Sequence, residues 1–389
     1  MQLPKRTKVL IFSFTYFPFI GGAEVALRQI TKRIPDFQFD LITAKLSKNL
    51  SNLEKIDNIN VYRVGQGNKF DKYLYPLRAF LFARKLDKEN NYSMIWAMLA
   101  TWAGLSALLF KIFNPKVKYL LTLQSGDSDL FIWLRTWFYY PIYRMVYTKA
   151  DHIQVISHWL KKRARRYGYK EEISIVPNGV DLNKMQKTDN KEQGERLKQK
   201  LSIPIKSKII FTSSRLVKKN DIQTLIKSIQ LLTTDYSLPV ILLIAGSGKL
   251  ESKLKLLTKQ LNLSDKVIFL GQIEHSQLFN YYSIADIFVR PSLSEGQGIS
   301  FIEAMAAGLP IIATPVGGIP DFLLDGKTGL FCQIKNPLNL ARKIKLLIDD
   351  EKLYTDIQQN ALSLVRQKYG WNLIATRMHK IIFSLINSQ

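Results

Sequence analysis

Short runs of β-branched and aromatic residues alternate with helical patterns along nearly the whole chain, and this alternation constrains the fold more than any other feature. Strands that alternate with helices form parallel sheets covered by helices. The strands predicted in the first half are Lys8–Phe14, Phe37–Thr43, Val61–Val64, Ser93–Met98, Val117–Leu123, His152–Ile156 and Ile173–Val176. Those predicted in the second half are Lys208–Thr212, Pro239–Ala245, Lys266–Leu270, Ile287–Val289 and Pro310–Ala313, with helices that begin near Asp221, Lys249, His275 and Gly298. The pattern predicts an α/β protein.

The pattern stops once and then restarts, which predicts two domains. The 389 residues provide for two cores at roughly 100–200 residues per domain. We expect an N-terminal domain over residues 1–185, a linker rich in Lys, Gln and Asn over 186–204, and a C-terminal domain over 205–370. Residues 371–389 show the i, i+3, i+4 spacing of a helix with one apolar face, and periodicity alone does not say which domain it covers. Two doubly wound domains that face each other would enclose a cleft at the carboxyl ends of their strands.

The charge balance indicates anionic partners without naming one. Lys and Arg number 56 against 31 Asp and Glu, a net charge of +25, which suits nucleotides, phospholipid surfaces or nucleic acid. The single cysteine, Cys332, allows no internal disulfide and fits a reducing compartment, so we expect a cytoplasmic protein. Pro18 interrupts the first apolar run, which argues against a secretory signal. The uncharged stretch Met94–Phe110 is shorter than the roughly 20 residues that span a bilayer.

A glycine-rich loop with two glutamates is the strongest candidate site. Ser294-Glu295-Gly296-Gln297-Gly298 lies between a predicted strand and the helix that contains Glu303. The glycines let backbone approach a ligand closely, and the helix N-terminus offers N–H groups to an anion or a sugar hydroxyl. Along a helix the two glutamates would stand about 12 Å apart, too far for a shared acid/base pair. They hold two parts of one long ligand, or they are ordinary solvated charges.

Two further segments occupy positions where α/β sheets contact ligands. Arg215-Leu216-Val217-Lys218-Lys219 follows the strand Lys208–Thr212, and its cations could neutralise a diphosphate. Gly21-Gly22 lies between the first strand and the first helix, where a phosphate-facing turn or a plain turn would fit.

Two other motifs resemble a metal site and a Walker loop but lack residues that those sites need. Asp127-Ser128-Asp129 has no third oxygen ligand nearby in sequence, so we interpret it as a loop and not as a metal site. Gly246-Ser247-Gly248-Lys249 lacks the first glycine and the hydroxyl residue of a Walker loop. The four histidines show no metal-ligand spacing.

Taken together, the motifs closely resemble the family 4 glycosyltransferases, which are retaining enzymes of the GT-B fold. The matching positions are Ser214-Arg215-Leu216 with Lys219, Ala245-Gly246-Ser247-Gly248, Phe269-Leu270-Gly271, and Pro291-Ser292-x-Ser294-Glu295-Gly296-x-Gly298-x4-Glu303-Ala304-Met305-Ala306-x-Gly308-x-Pro310. Further matches are Gly21-Gly22-Ala23-Glu24, Ile156-Ser157, Pro177-Asn178-Gly179-Val180-Asp181 and Gly317-Gly318. The resemblance implies two Rossmann-like domains facing a cleft, with a C-terminal helix that crosses back onto the N-terminal domain. It implies transfer of a hexosyl unit from a nucleotide-sugar donor to an acceptor hydroxyl in cell-surface polysaccharide or glycolipid assembly, with no metal and no resident cofactor.

The resemblance also implies a role for each matched residue. The catalytic group would be Arg215 and Lys219, which stabilise the diphosphate leaving group, and Glu295, which holds donor sugar hydroxyls. Glu303 would bind the nucleotide ribose. The remaining donor-binding positions are Gly22, Ser214, Gly248, Gly296, Gln297 and Gly298.

The chain departs from the family at three points. Family members commonly place Lys five residues after the Arg and follow it with Gly, whereas Asn220 and Asp221 follow Lys219 here, so Lys218 stays an alternative phosphate ligand. Gln124 stands where many members have a histidine, which leaves the role of that histidine open. Gln297 replaces a common aromatic residue.

Aromatic and basic residues interleave in one segment of the N-terminal half. Between Leu130 and Tyr147 stand Phe131, Trp133, Trp137, Phe138, Tyr139, Tyr140 and Tyr143 with Arg135 and Arg144, and Lys161–Arg166 follows. Such a surface suits an anionic membrane and a lipid-linked acceptor, which would place the protein at the inner face of the plasma membrane. A helix buried against the sheet explains the aromatic residues equally well.

Three function classes follow from the sequence. Sugar transfer ranks first because the arginine, the lysine and both glutamates are all present. Another GT-B reaction, nucleotide-sugar epimerisation or phosphorolysis, ranks second and would need an additional acid/base group or cofactor lysine. Nucleic-acid binding ranks last because it rests on net charge alone, with no reading motif.

Overall fold

The computed structural model describes residues 7–19, 21–68, 70–185 and 191–387, which form two compact units. The first unit contains the described residues up to Asn178 and again from Trp371 onward. The second unit is Gly179–Gly370.

Each unit is built on a largely parallel sheet. The strands are β1 (Thr7–Ser13), β2 (Phe37–Ala44), β3 (Leu53–Ile56), β4 (Ile59–Val64), β5 (Met94–Met98), β6 (Lys118–Leu123), β7 (His152–Val155), β8 (Ile173–Ile175), β9 (Lys208–Ser213), β10 (Val240–Ala245), β11 (Val267–Gly271), β12 (Ile287–Arg290), β13 (Ile311–Ala313) and β14 (Leu330–Phe331). The first sheet has the order β3-β4-β2-β1-β5-β6-β7-β8, and the second has the order β11-β10-β9-β12-β13-β14. All strand pairs are parallel except β3 with β4.

Helices connect most of the successive strands in both units. They are α1 (Gly22–Lys32), α2 (Asp71–Asn90), α3 (Trp102–Phe113), α4 (Asp129–Thr136), α5 (Tyr140–Thr148), α6 (His158–Arg166), α7 (Leu182–Met185), α8 (Lys191–Lys200), α9 (Ile222–Thr234), α10 (Glu251–Gln260), α11 (Leu278–Ile284), α12 (Ile299–Ala306), α13 (Pro337–Asp349), α14 (Glu351–Lys368) and α15 (Trp371–Asn387). Central strands such as β5 and β10 are buried along their whole length because helices cover both faces of the sheet. Among the described residues, none of these helices is both long and apolar enough to cross a bilayer.

The predicted strands are all present, with ends that differ by one or two residues. The prediction missed β3 and β14 for different reasons. The short strand β3 is an exposed edge strand with charged residues at its centre, so it carries little apolar signal. β14 has only two residues, too few for any periodicity.

The segment expected to be a linker is partly helical. Residues 191–200 form α8, and Leu197 and Leu201 pack against the core of the second unit. These two leucines are spaced by four residues, and the other side chains of α8 are too polar to reveal an apolar face in the sequence. Residues 186–190 lie outside the described part of the chain.

The C-terminal helix α15 packs on α1 in the first unit. His379 Nε2 lies 3.1 Å from a carboxylate oxygen of Asp36, and Arg33 donates to Asn372 at 2.9 Å. Trp371, Ile374 and Met378 form its buried face, as their spacing predicts. The chain thus returns to its first unit after completing the second.

Candidate functional site

The second sheet reverses its strand order between β9 and β12, which are adjacent in the sheet but not in the chain. In open α/β sheets, ligands bind outside the carboxyl ends of the strands at such a switch point. The loop after β9 carries Ser214, Arg215 and Lys219, and the loop after β12 carries Glu295 and its glycines. The topology therefore places these candidate residues of the second unit at the carboxyl ends of two adjacent central strands, β9 and β12.

A backbone hydrogen bond joins these two loops. Leu293 N–H donates to the carbonyl oxygen of Lys219 at 2.7 Å. Arg215 is exposed, Lys219 is half-buried, and Asn220 donates to the Arg215 carbonyl oxygen at 2.7 Å. The cation-bearing backbone is thus fixed against the glutamate-bearing loop.

The Oγ atom of Ser214 is buried and lacks a hydrogen-bond partner among the described residues. Buried hydroxyls are normally hydrogen-bonded, so this one has an unused donor and acceptor in the loop that carries Arg215.

Glycines of the next loop pack against the loop after β9. At Gly246, whose φ is +125°, a Cβ atom would lie 1.9 Å from the Ser214 carbonyl oxygen. A Cβ atom on Gly248 would lie 2.5 Å from the Leu216 carbonyl oxygen. Close packing against Leu216 therefore requires glycine at position 248, independently of the contact with the nucleotide-sugar that the sequence predicts for Gly248.

Glu295 is held by two donors. Its Oε2 accepts a hydrogen bond from Arg290 Nη2 at 2.6 Å, and its Oε1 accepts one from the Gly296 N–H at 2.9 Å. The side chain stays 20% exposed. A Cβ atom on Gly317 would lie 1.7 Å from the Glu295 carbonyl oxygen, so the Gly317-Gly318 turn fits directly beneath this loop.

Glu303 is buried, and each of its two carboxylate oxygens has one hydrogen-bond partner. His275 Nε2 lies 2.6 Å from its Oε1, and the Tyr282 hydroxyl donates to its Oε2 at 3.0 Å. The hydrogen bond to Glu303 raises the pKa of His275 despite partial burial. Burial and the charge of Glu303 raise the pKa of the Tyr282 hydroxyl well above its usual range, so Tyr282 is a hydrogen-bond donor at neutral pH.

Gln297 and Gly298 lie between the two glutamates. Gln297 is buried, and Gly298 has a φ of +88° at the N-terminus of α12. A Cβ atom on Gly298 would lie 2.6 Å from the ring of Phe301. A residue other than glycine would therefore move the loop that carries Glu295.

Three residues of this site were missed by sequence reasoning: Arg290, His275 and Tyr282. Arg290 had a signal, because a charged residue ends an otherwise apolar buried strand. The sequence offers no spacing that links His275 to Glu303, and the histidines were examined only for metal-ligand spacing. In the described parts of the chain, no three His, Cys, Asp or Glu side chains are grouped so as to hold a metal ion.

The first unit holds the remaining candidates. Gly22 is exposed at the first residue of α1, after β1, and a Cβ atom there would meet no atom within 4 Å. Gln124 Oε1 accepts a hydrogen bond from Asn178 at 3.1 Å. Asp129 pairs with Arg163 at 2.8 Å and with Arg166. It is the first residue of α4 and Ser128 is the N-cap, so only Asp127 and Ser128 of the segment interpreted as a loop precede the helix.

Models of known protein families match both halves of the chain. The family model described as Glycosyltransferase Family 4 matches residues 20–184, and that described as Glycosyl transferases group 1 matches residues 193–363. A GDP-mannose-dependent monoacylated alpha-(1-6)-phosphatidylinositol monomannoside mannosyltransferase of Corynebacterium glutamicum is 28% identical over 97% of this chain and 98% of its own length.

Solved structures share the fold. Sucrose-phosphate synthase from Thermosynechococcus elongatus superimposes with a TM-score of 0.85 at 21% identity, over 99% of this chain and 100% of that chain. The Anabaena protein HepE, solved in complex with UDP-glucose, gives 0.81 at 18% identity, over 97% and 99%. These likenesses confirm two Rossmann-like domains of the GT-B type.

Proposed function

Because the chain belongs to the family 4 glycosyltransferases and is itself a glycosyltransferase, we propose that it moves a hexosyl unit from a nucleotide-sugar donor to an acceptor hydroxyl with retention of anomeric configuration. One observation carries the proposal most strongly: the Leu293 to Lys219 hydrogen bond fixes a cationic loop against a glutamate loop at a sheet switch point. A nucleotide-sugar needs positive charge at its diphosphate and hydrogen-bond acceptors at its sugar and ribose. This edge of the sheet carries both.

Arg215 and Lys219 stabilise the diphosphate as it leaves. When the bond between the anomeric carbon and the phosphate oxygen breaks, negative charge develops on the diphosphate, and preorganised cations and donors stabilise that charge. Arg215 is exposed in the loop after β9, and the Ser214 hydroxyl is an unsatisfied donor beside it. The proposal includes no metal ion, since these groups supply the positive charge.

Glu295 and the backbone of Gly296, Gln297 and Gly298 bind the donor sugar. The acceptor oxygen bonds to the anomeric carbon from the side that the diphosphate leaves, and its proton passes to a diphosphate oxygen. This course needs no protein nucleophile and no acid/base pair. Glu303 accepts hydrogen bonds from the ribose hydroxyls.

The experiment that tests the proposal is an assay of sugar transfer and donor hydrolysis with UDP-, GDP- and ADP-sugars. Lys219→Ala and Glu303→Ala should remain folded and lose activity, because removing one preorganised donor to developing charge costs about 10²–10³ in kcat. Folded variants with unchanged rates would refute the assignment of these residues.

We further propose that the acceptor is lipid-linked and that α4 and α5 bind an anionic membrane surface at the inner face of the plasma membrane. These helices bury Ile132, Tyr143 and Tyr147. Trp133 of α4, and Trp137 and Phe138 in the turn between the two helices, are 53% to 70% exposed. The exposed cations Arg135 and Arg144 lie on the same two helices. The Corynebacterium relative is named for a phosphatidylinositol mannoside acceptor, which supports an acceptor of this kind. Flotation with anionic liposomes tests it: absence of salt-sensitive binding would refute it.

A further inference from the structure

Arg290 is a buried cation at the centre of the second unit's site. It is the last residue of β12 and is only 5% exposed. A charge in such a place is costly unless it is paired and its donors are satisfied. The contacts of its guanidinium therefore indicate its role.

The guanidinium contacts three segments of the second unit. Nη1 donates to the Ser213 carbonyl oxygen at 3.2 Å, at the end of β9, and to Ser300 Oγ at 2.7 Å, on α12. Nε donates to Ser292 Oγ at 3.1 Å, and Nη2 donates to Glu295 Oε2 at 2.6 Å. The segments it joins are those that precede Ser214, contain Glu295 and lead to Glu303.

The surrounding residues leave this guanidinium one position. Its central carbon lies 4.4 Å from the centroid of the Phe301 ring, in a cation–π contact. On Gly298, a Cβ atom would come within 2.9 Å of Nη2, so the loop crosses close over the guanidinium. The guanidinium is therefore held in one orientation. A lysine has a single nitrogen and could not reproduce the guanidinium fork, in which Nη1 reaches Ser300 and Nη2 reaches Glu295.

The effect on Glu295 is to fix its direction. With Oε2 bonded to Arg290 and Oε1 bonded to the Gly296 N–H, the carboxylate cannot turn about its side chain without losing a charge-assisted bond. The side chain is still 20% exposed, and its carboxylate has lone pairs that neither bond uses. A sugar hydroxyl meets an acceptor that is already oriented.

We propose that Arg290 is a positioning residue that acts through Glu295 on the sugar moiety of the donor and not on its nucleoside diphosphate. This inference rests on the proposed function, because it takes Glu295 to be the sugar ligand. A change at Arg290 should therefore weaken recognition of the donor sugar and leave binding of the nucleoside diphosphate unchanged.

The test is a double-mutant cycle on the full-length protein. Arg290→Met, Glu295→Gln and the double variant are compared with wild type in two measurements. Calorimetry gives the Kd of UDP, GDP and ADP, which carry no sugar. Steady-state assays give kcat/KM for the corresponding nucleotide-sugars, and Arg290→Lys is included to preserve the charge without the fork.

We expect the Kd of the nucleoside diphosphate that binds wild type to stay within about twofold in every variant. We expect kcat/KM to fall about 10- to 100-fold in Arg290→Met and less in Arg290→Lys. The double variant should be no worse than Glu295→Gln alone, because both changes remove the same oriented acceptor. Additive losses, or a parallel loss of diphosphate binding, would overturn the inference.

Arg290→Met can fail to fold, and the test does not depend on it. Arg290→Lys then carries the test: a cooperative melting transition with at least about a fivefold lower kcat/KM and unchanged diphosphate binding supports the inference. Unchanged kcat/KM in that variant refutes it. Absence of nucleoside diphosphate binding by wild type would instead refute the proposed function, so the two failures are distinguishable.

Discussion

Nε2 of His275 lies 2.6 Å from Oε1 of Glu303, so a half-exposed imidazole covers a carboxylate that is only 3% exposed. His275 precedes α11, and Glu303 lies on α12. The Tyr282 hydroxyl holds the second oxygen of the carboxylate from inside the protein. Because Glu303 is the proposed ribose ligand, its environment leads to the first two predictions.

The His275–Glu303 pair should stabilise the fold more in acid than in base. The hydrogen bond from His275 to Glu303 raises the pKa of the histidine. The stabilisation is therefore complete below the ordinary histidine pKa of about 6.5, and it is lost as the pH rises through the raised pKa. Urea unfolding of wild type and His275→Gln between pH 5.5 and 9 should show a stability difference that shrinks with rising pH. His152→Gln is the control with the opposite slope, because burial lowers the pKa of His152. A difference that does not vary with pH for His275→Gln would contradict the prediction.

Glu303 should distinguish ribose from deoxyribose. A site that accepts a hydrogen bond from a hydroxyl disfavours the ligand that lacks it. We expect wild type to bind a nucleoside diphosphate at least about tenfold more tightly than its 2′-deoxy or 3′-deoxy analogue, and Glu303→Gln to reduce this ratio. Calorimetry with both ligands measures it, and a ratio unchanged in Glu303→Gln would exclude ribose contact by this residue.

Lys219, and not Lys218, should be the lysine that contacts the diphosphate. Lys219 is half-buried and its carbonyl oxygen binds the Leu293 N–H, whereas the side chain of Lys218 is exposed. Lys219→Ala should lower kcat about 10²–10³-fold, and the matched variant Lys218→Ala should stay within about threefold of wild type. The reverse order of effects would identify Lys218 as the phosphate ligand.

The sequence predicted the sheets better than the site. Most parallel strands of these sheets carry apolar and β-branched residues, so twelve of them were located from pattern alone, whereas the charged edge strand β3 was not. Candidate positions such as Arg215 and Glu295 follow strands and stand out in sequence. Arg290, His275 and Tyr282 act through neighbours that are distant in the chain, and no spacing rule connects His275 with Glu303 before α11 and α12 pack together.

The turn beneath Glu295 should tolerate no side chain. Gly317 has a φ of +58°, and a Cβ atom there would lie 1.7 Å from the Glu295 carbonyl oxygen. Gly326 has a similar φ of +72° with no atom within 4 Å, so it provides a control that isolates backbone strain. Gly326→Ala should lower the free energy of unfolding by about 1 kcal/mol, and Gly317→Ala by clearly more. Equal losses in urea unfolding would show that the turn can shift without cost.

The exposed aromatic residues of α4 and of the turn between α4 and α5 should mediate binding to anionic vesicles. Replacing Trp133, Trp137 and Phe138 together with serine removes apolar surface that can enter the interface. This triple variant should lose flotation with anionic liposomes but keep its melting temperature. Leu256→Ser with Leu324→Ser, which changes exposed leucines of the second unit, should float as wild type does. Equal flotation of both variants would exclude α4 and α5 as the contact surface.

Binding of a nucleotide-sugar by the cations after β9 can be measured by calorimetric titration of the full-length protein with UDP-, GDP- and ADP-sugars, with Arg215→Gln as the comparison. We expect wild type to bind at least one of these donors saturably and Arg215→Gln to bind it at least about tenfold more weakly, because a charged hydrogen bond to the diphosphate is lost. Wild-type protein that takes up none of the three, or an Arg215→Gln variant that binds as wild type does, would contradict this expectation.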